Sequence, residues 1–403
     1  MFPASRLSVS ASWLAVLLLF ATPTVAIFAG LAVAPLFVLF ALSLMLWRRP
    51  ALVWPAGKLP VGLAVAAAVW AGLSCLWTVA EPAAALRSVL ACLALALLGV
   101  GGLGAARRLT EPDRHRLGRA LVAGVALATA VLLVEVASDY LLIRSLTAWR
   151  HGGLGPDNPQ ALESRGAVVV LLLLWPALAV AGRVWRRVAL PLLLLAGAAL
   201  IGEGKYASIL ALAGGGAAAL PVLAARRHGR ALLAAGLVAV VLAMPLIGAL
   251  LPSEAALERG ELFNSARHRV VIWHFALDRW AEHPLRGWGM EAARALPGGE
   301  EEALVTVAGT VHHYQRLPLH PHNGALQVWL ELGLPGALLL AAVLGLVVTR
   351  LDAGAGPRAA ALGAAVVVGC LSFGLWQGWW QSCWWLTALA FAVTARDPRA
   401  GAP

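Results

Sequence analysis

The sequence predicts an all-α polytopic membrane protein with about twelve transmembrane helices and one large polar loop that carries an amphipathic helix. Three observations support this. Apolar residues fill 61% of the 403 positions and charged residues only 13%, too little polar surface for a soluble chain of this size to cover itself. Uncharged apolar runs of about 18 residues or more, long enough to cross a bilayer, recur from end to end. Most of the 31 Lys and Arg residues lie in short clusters between those runs, where topology determinants belong. The formal charge of +11 therefore reflects topology. No aromatic–basic interleaving points to nucleic acid as a partner.

Taken in order, the first two spans form a tight pair, 12–28 and 29–47, parted near Thr22-Pro23 and Gly30, and Arg48-Arg49 and Lys58 mark the first basic loop. Spans three (60–78) and four (83–104) are joined by Ala80-Glu81-Pro82, and a second basic loop runs from Arg107-Arg108 to Arg119. Span five (117–137) leads into a polar segment, 138–164, with Gly152-Gly153, Pro156 and Pro159 as breakers. Span six (165–182) ends at Arg183-Val-Trp-Arg-Arg187, and span seven (188–201) ends at Gly202-Glu-Gly-Lys205. Span eight (206–224) ends at Arg226-Arg227, and span nine is 231–251. After a polar excursion, spans ten (323–348), eleven (358–377) and twelve (379–395) close the bundle before Arg396 and Arg399. The apolar runs look like a signal peptide at Arg6 and Trp13–Phe20, but the second run follows so closely that an uncleaved first span is expected. The chain thus divides into nine helices over 1–251, a loop domain over 252–321, three helices over 322–395 and a cytoplasmic tail over 396–403.

With the N-terminus in the cytoplasm the spans alternate consistently. Segment 138–164, the Gly-Glu-Gly-Lys turn, the long excursion and the start of span ten then share the outer face. Within the excursion, 265–280 reads as an amphipathic helix with Ser265 as N-cap and His283-Pro284 as its stop. Ile272, Phe275 and Ala276 form one apolar stripe, and Val270, Trp273, Leu277 and Trp280 a second. Such a helix is expected on the outer bilayer surface.

The residues able to do chemistry gather at the same face. Asn323 is an apt N-cap for span ten, placing His322 at a helix N-terminus. The partial positive charge there disfavours imidazolium, so His322 should stay neutral and able to accept a proton; His320 lies beside it. Glu331, about two turns into span ten, is an intramembrane carboxylate and so a candidate for function, though a satisfied structural role is equally open. The middles of the spans are otherwise nearly free of charge, apart from Glu135. Arg87, Arg165 and Lys205 are cations at outer ends of spans, where the positive-inside rule does not want them. Snorkelling accounts for each singly. Together with Arg269 on the amphipathic helix they suit a polyanionic head group. The sequence holds no Walker A loop, Rossmann glycine fingerprint or nucleophile elbow. The four cysteines all fall in apolar runs without a CxxC, and His312-His313 with His320 and His322 lack metal-site spacing. Neither a metal nor a cofactor is expected.

The stretches His268-Arg269-Val-Val-Ile-Trp273, Pro284-Leu-Arg-Gly-Trp-Gly289 and His320-Pro-His-Asn323 with Leu326-Gln-Val-Trp-Leu-Glu-Leu-Gly333 resemble the O-antigen ligase family. Ser164-Arg165-Gly166 and Gly204-Lys205-Tyr-Ala207 are weaker matches. The resemblance implies a glycosyltransferase of the bacterial inner membrane. Such an enzyme moves a glycan from undecaprenyl pyrophosphate to the lipid A–core oligosaccharide at the periplasmic face, with inversion and without metal. It further implies that His322 activates the acceptor hydroxyl, that Arg269 contacts the pyrophosphate, and that Lys205 and Arg165 help hold it. Lys205 stands where many members carry arginine, which keeps the charge but not the fork. Arg87, His320, Asn323 and Glu331 complete the expected substrate site. An O-antigen or exopolysaccharide polymerase and a protein O-oligosaccharyltransferase share the pattern, and a transporter of lipid-linked sugar is a reading from another class.

Overall fold

The computed structural model describes residues 4–50, 58–150, 159–259, 262–351 and 355–395. The expected tail at 396–403 and the breakers Gly152-Gly153 and Pro156 lie outside these residues. The described chain is almost wholly helical: α1 (Ala4–Phe28), α2 (Val33–Trp47), α3 (Lys58–Ser74), α4 (Pro82–Ala106), α5 (Glu111–Ala137), α6 (Leu141–Arg150), α7 (Pro159–Val184), α8 (Arg186–Gly202), α9 (Tyr206–Leu242), α10 (Glu254–Glu258), α11 (Asn264–Glu282), α12 (Gly324–Thr349), α13 (Gly356–Leu371) and α14 (Gly378–Thr394).

Among the described residues, seven helices are long and apolar enough to cross a membrane, and an eighth forms if Arg227–Leu242 and Met244–Leu250 count as one span bent by 71°. Each of the twelve expected stretches is helical, but α3, α8, α13 and α14 are shorter. At 16 or 17 residues each, they reach about 25 Å at 1.5 Å per residue, less than the roughly 30 Å hydrocarbon core. Spans eight and nine are separate although α9 runs on through both. A Cβ at Gly229 would overlap the Pro221 carbonyl, so the chain doubles back at the predicted basic turn.

The alternation of direction is visible at both ends of the bundle. At one end Arg48 pairs with Asp113 at 2.5 Å, Arg114 donates to the Ala106 and Ala392 carbonyls, and Arg183 donates to that of Thr394. Arg114 and Arg183 thus satisfy carbonyls at the C-terminal ends of α4 and α14, where cations are favoured. The other end gathers the starts of α4, α7, α12 and α14 and the finish of α13, with the loop domain seated on it. The main core lies among α1, α2, α4, α5, α7, α8 and α14, with Phe37, Phe40, Leu121, Leu172 and Trp380 fully buried.

Two local features depart from expectation. Segment 138–164 contains α6, and buried Glu135 caps it by accepting from the Leu142 and Ile143 amides at 3.1 and 3.0 Å. Its charge therefore sits against a helix N-terminus. The loop domain also holds a hairpin, β1 (Glu302–Val307) against antiparallel β2 (Thr310–Gln315). Its two-residue turn has Ala308 and Gly309 at φ 49° and 81°, the left-handed pair that matches strand twist.

Helix α11 is amphipathic as expected and ends at His283, but Phe263 rather than Ser265 occupies its N-cap. It does not present an apolar stripe to lipid. Ile272, Phe275, Ala276 and Leu277 pack with Met290, Leu326, Trp329 and Leu330, and Val270 packs with Leu257, Val305 and Tyr314. Both apolar stripes are covered by protein, chiefly by α12 and the hairpin.

A break in α12 fixes the loop domain to the bundle. Gly333 has φ 62° and ψ −158°, and Pro335 lacks the amide that would bond to Glu331. Four of the groups at the break find partners outside α12. Trp288 N donates to the Leu330 carbonyl at 2.9 Å, Gly289 N to that of Glu331 at 2.8 Å, and Trp70 Nε1 to that of Leu332 at 2.8 Å. Leu334 N in turn donates to the Pro284 and Leu285 carbonyls at 3.2 Å. The Pro284–Gly289 motif is therefore a clasp on a broken helix. Gly287 belongs there because a Cβ would overlap the Glu331 carbonyl.

Candidate active site

His322 stands where the N-terminus of α12 meets the C-terminus of α13. Asn323 caps α12, its side chain accepting from Leu326 N at 3.1 Å, and is 2% exposed. His322 itself has φ 53°, a left-handed conformation uncommon outside glycine and characteristic of functional sites. Its Nδ1 lies 2.6 Å from the Ser372 carbonyl. A carbonyl only accepts, so Nδ1 carries the hydrogen and a neutral ring has its lone pair on Nε2. Nε2 has no hydrogen-bond partner among the described residues. Burial drives the imidazolium down to about 4, against the pull of the Ser372 carbonyl and with help from Arg269 and His268. The ring is thus neutral at pH 7, as expected, but burial rather than the helix dipole is the main cause.

Arg269 is held on the adjacent carbonyl. Its Nε donates to Leu371 O and one terminal nitrogen to Ser265 O, both at 2.9 Å, which leaves Nη2 without a partner among the described residues. Burial lowers its pKa, yet an arginine keeps its charge. The sequence spacing has a physical reason. Trp273, one turn on from Arg269, donates through Nε1 to the Pro321 carbonyl at 2.9 Å, so one face of α11 fixes both the cation and the residue preceding His322.

His320 is 6% exposed; its Nδ1 accepts from His322 N at 3.2 Å and the two rings lie 4.4 Å apart. Burial, then His322 and Arg294, push its pKa down to about 3. Glu331 is wholly enclosed. One carboxylate oxygen accepts from Gln327 Nε2 at 3.0 Å, the other from Glu291 N and Trp376 Nε1, each at 2.7 Å. It ties α12 to the loop domain and to the α13–α14 connection, and no free lone pair is aimed at open space.

The outer cations are spread around this centre. Arg165 reaches over the Trp379 ring at 5.7 Å, and Trp379 meets Phe373, next to Ser372, edge-on at 4.6 Å. Lys205 is the N-cap residue of α9. Tyr206, beside it, stacks on Phe263 at 4.3 Å, bringing that turn to the start of α11. Arg87 lines a separate cleft. The structure brings His320, His322 and Arg269 together, but sequence reasoning missed the Leu371 and Ser372 carbonyls that orient Arg269 and His322, since a backbone acceptor has no sequence identity. It also missed Glu291, Arg294 and Trp376. The only advance signal for these was their closeness to the Gly287-Trp-Gly289 turn and to the start of span twelve.

Fold and site together define a polytopic membrane protein that holds a neutral histidine and a half-buried arginine at one end of its helical bundle. Residues 191–341 match the family model described as O-antigen ligase. That segment includes Lys205, Arg269, His320, His322, Asn323 and Glu331 but neither Arg87 nor Arg165. A Rickettsia felis protein named "Putative polysaccharide ligase" is 27% identical over 319 residues, 78% of this chain and 75% of its own. Proteins of the same description from Rickettsia conorii and Rickettsia prowazekii are each 32% identical, over 123 and 136 residues. Those shorter matches span 29% and 33% of the relatives' lengths and 29% and 32% of this chain. The similarity to the O-antigen ligase model thus covers a little over a third of the chain, and that stretch holds most of the candidate site.

Proposed function

We propose that this protein is an O-antigen ligase. In this reading it transfers a glycan from undecaprenyl pyrophosphate to the lipid A–core oligosaccharide at the periplasmic face of the bacterial inner membrane, without metal and with inversion at the anomeric carbon. The observation that carries the reading is the Nδ1 bond of His322 to Ser372, which leaves Nε2 as an available proton acceptor. The acceptor hydroxyl attacks the anomeric carbon and its proton passes to Nε2. The bond from that carbon to the pyrophosphate oxygen breaks, and the pyrophosphate leaves with the electron pair. Arg269, whose Nη2 is free to bond, receives the charge on the leaving group, with Lys205 and Arg165 adding positive potential.

Burial makes His322 a weak base in the empty site. A pyrophosphate beside Arg269 offsets that cation and itself favours imidazolium, so donor binding raises the basicity of Nε2 when transfer requires it. General-base help of this kind is typically worth about 10²–10⁴-fold, and fixed donors on developing charge often contribute more. His320 and Asn323 position the base, and Glu331 holds the frame around it. The test is in vitro transfer by purified protein from a defined lipid-linked donor to lipid A–core, with and without chelator. Transfer that survives chelation supports the reading, and loss on chelation contradicts its metal-free step. Transfer to a second lipid-linked repeat instead of lipid A–core would mark a polymerase, and transfer to protein an O-oligosaccharyltransferase.

A further inference from the structure

A cleft of about 640 Å³ opens beside this centre, within the usual 300–1,000 Å³ range of ligand sites. Its walls are the start of α4, the turn around Glu291 and Arg294, and the connection into α14. The last wall is shared with the active site. Ser372 O takes His322, Gly374 lies against His320, and Trp376, Gln377 and Gly378 line the cleft. Arg294 is near enough to His320 to disfavour its charged form.

The charge in the cleft is balanced. Arg294 Nε reaches one Glu291 oxygen at 2.5 Å while Ser88 Oγ donates to the other at 2.6 Å. Arg87 faces Glu81 at 3.4 Å, with both side chains well exposed. A phosphate entering here would meet two carboxylates as well as two guanidinium groups. A hydroxylated ligand meets alternating donors and acceptors beside the Trp376 indole, which is pinned through Nε1 to Glu331 at 2.7 Å. The arginine suited to an anion, Arg269, sits instead on the Leu371 carbonyl and acts on His322, whereas Arg294 of the cleft acts on His320.

We propose that this cleft is a carbohydrate subsite that takes uncharged sugars at the reacting end of the acceptor, while the donor pyrophosphate lies on the Arg269 side of His322. Arg87 and Arg294 are then sugar-binding groups rather than phosphate ligands, and acceptor sugars phosphorylated at this end are disfavoured by Glu81 and Glu291. The inference rests on the ligase reading for the identity of the acceptor, but sugar binding to the cleft can be measured without transfer.

The experiment uses the purified full-length protein in detergent and core oligosaccharide freed of its acyl chains, titrated calorimetrically in the absence of donor. Ala84→Trp fills the cleft. Arg87→Ala removes a guanidinium whose side chain is exposed, so the test does not depend on the bulkier variant folding. The expected result is binding by the wild type, weakened at least about tenfold in each folded variant, a difference of about 1.4 kcal/mol, with the KM for lipid-linked donor unchanged. No binding by the wild type, or equal binding by wild type and variants, overturns the inference. So does a rise in donor KM alone, which would give the cleft to the donor glycan, or Arg87-dependent binding of inorganic pyrophosphate, which would make it an anion site. Failure of the wild type to transfer any glycan, with the binding result intact, would instead count against the ligase reading.

Discussion

The Nδ1 atom of His322 lies 2.6 Å from the Ser372 carbonyl, one residue along from the Leu371 carbonyl that accepts Nε of Arg269 at 2.9 Å. Two adjacent carbonyls at the end of α13 therefore orient the proposed base and the proposed pyrophosphate ligand together. Unpaired carbonyls are plentiful at a helix C-terminus, and donors are favoured there. The pairing fixes the tautomer of one side chain and the reach of the other without using any side chain as the anchor.

Arg269→Lys tests the second half of that arrangement. Lysine keeps a charge but cannot bond to Leu371 O through an Nε while still presenting a free guanidinium nitrogen. The expected outcome is a loss of about tenfold or more in kcat/KM for the donor, roughly the 1.4 kcal/mol of one charge-assisted hydrogen bond, with acceptor affinity unchanged. Initial rates over a matrix of donor and acceptor concentrations measure this. A near-normal rate would place the pyrophosphate elsewhere.

Glu331→Ala should act on stability before chemistry. It leaves Trp376 Nε1, Glu291 N and Gln327 Nε2 without their acceptor inside the protein, at roughly 1–3 kcal/mol for each buried group left unsatisfied. The thermal midpoint in detergent should fall by many degrees, and the folded fraction should lose its grip on the loop domain, detectable as faster proteolysis within 284–291. An unchanged midpoint with lost transfer would instead give Glu331 a role towards substrate.

Gly333→Ala probes the clasp. At φ 62° an added Cβ would overlap the Leu285 carbonyl, and a left-handed backbone is itself strained for alanine. The variant should be destabilised by more than about 1 kcal/mol, whereas Gly62→Ala, inside α3 with open space around it, should be neutral or stabilised by up to about 1 kcal/mol. Melting curves of the pair settle the comparison.

The buried histidines set a pH dependence. In the fold His320 and His322 titrate near about 3 and about 4, against about 6.5 in an unfolded chain. The unfolded state binds more protons below that value, so their contribution is constant above pH 6.5 and is lost as pH falls towards 4. Glu203, buried in the α8–α9 turn, has the opposite sign. Burial lifts it to about 7 against the hydrogen bond from Ser208 and the nearby charge of Lys205, so its contribution is full below about 4.5 and fades as pH rises through 7. Glu203→Gln should raise the midpoint at pH 8 and leave it nearly unchanged at pH 4.5, and His320→Asn should flatten the acid limb. Melting temperatures across pH 4–8 measure both.

The sequence made the helices legible because apolar runs and basic turns have only one physical reading in a chain this poor in charge. It also placed the Asn323 cap with His322 beside it, since capping chemistry is local, whereas the burial that chiefly keeps His322 neutral was not legible. The hairpin was missed although Leu304-Val-Thr-Val307 and Thr310-Val311 flank an Ala-Gly turn; six-residue strands in a polar loop give a weak pattern. The amphipathic pattern of α11 was seen, but periodicity does not say whether protein or lipid covers an apolar stripe, and here α12 does. Glu135 and Glu331 were visible as costly charges, while their partners, mostly backbone amides and indoles, were not.

The most direct test of the central claim is the rate of transfer by His322→Asn. Asparagine tolerates the left-handed backbone at this position and its amide can still donate to Ser372, but it offers no basic nitrogen. The account predicts a variant with wild-type yield, melting midpoint and donor binding, and a transfer rate lowered about 10²–10⁴-fold. A folded His322→Asn protein that transfers at close to the wild-type rate would contradict it.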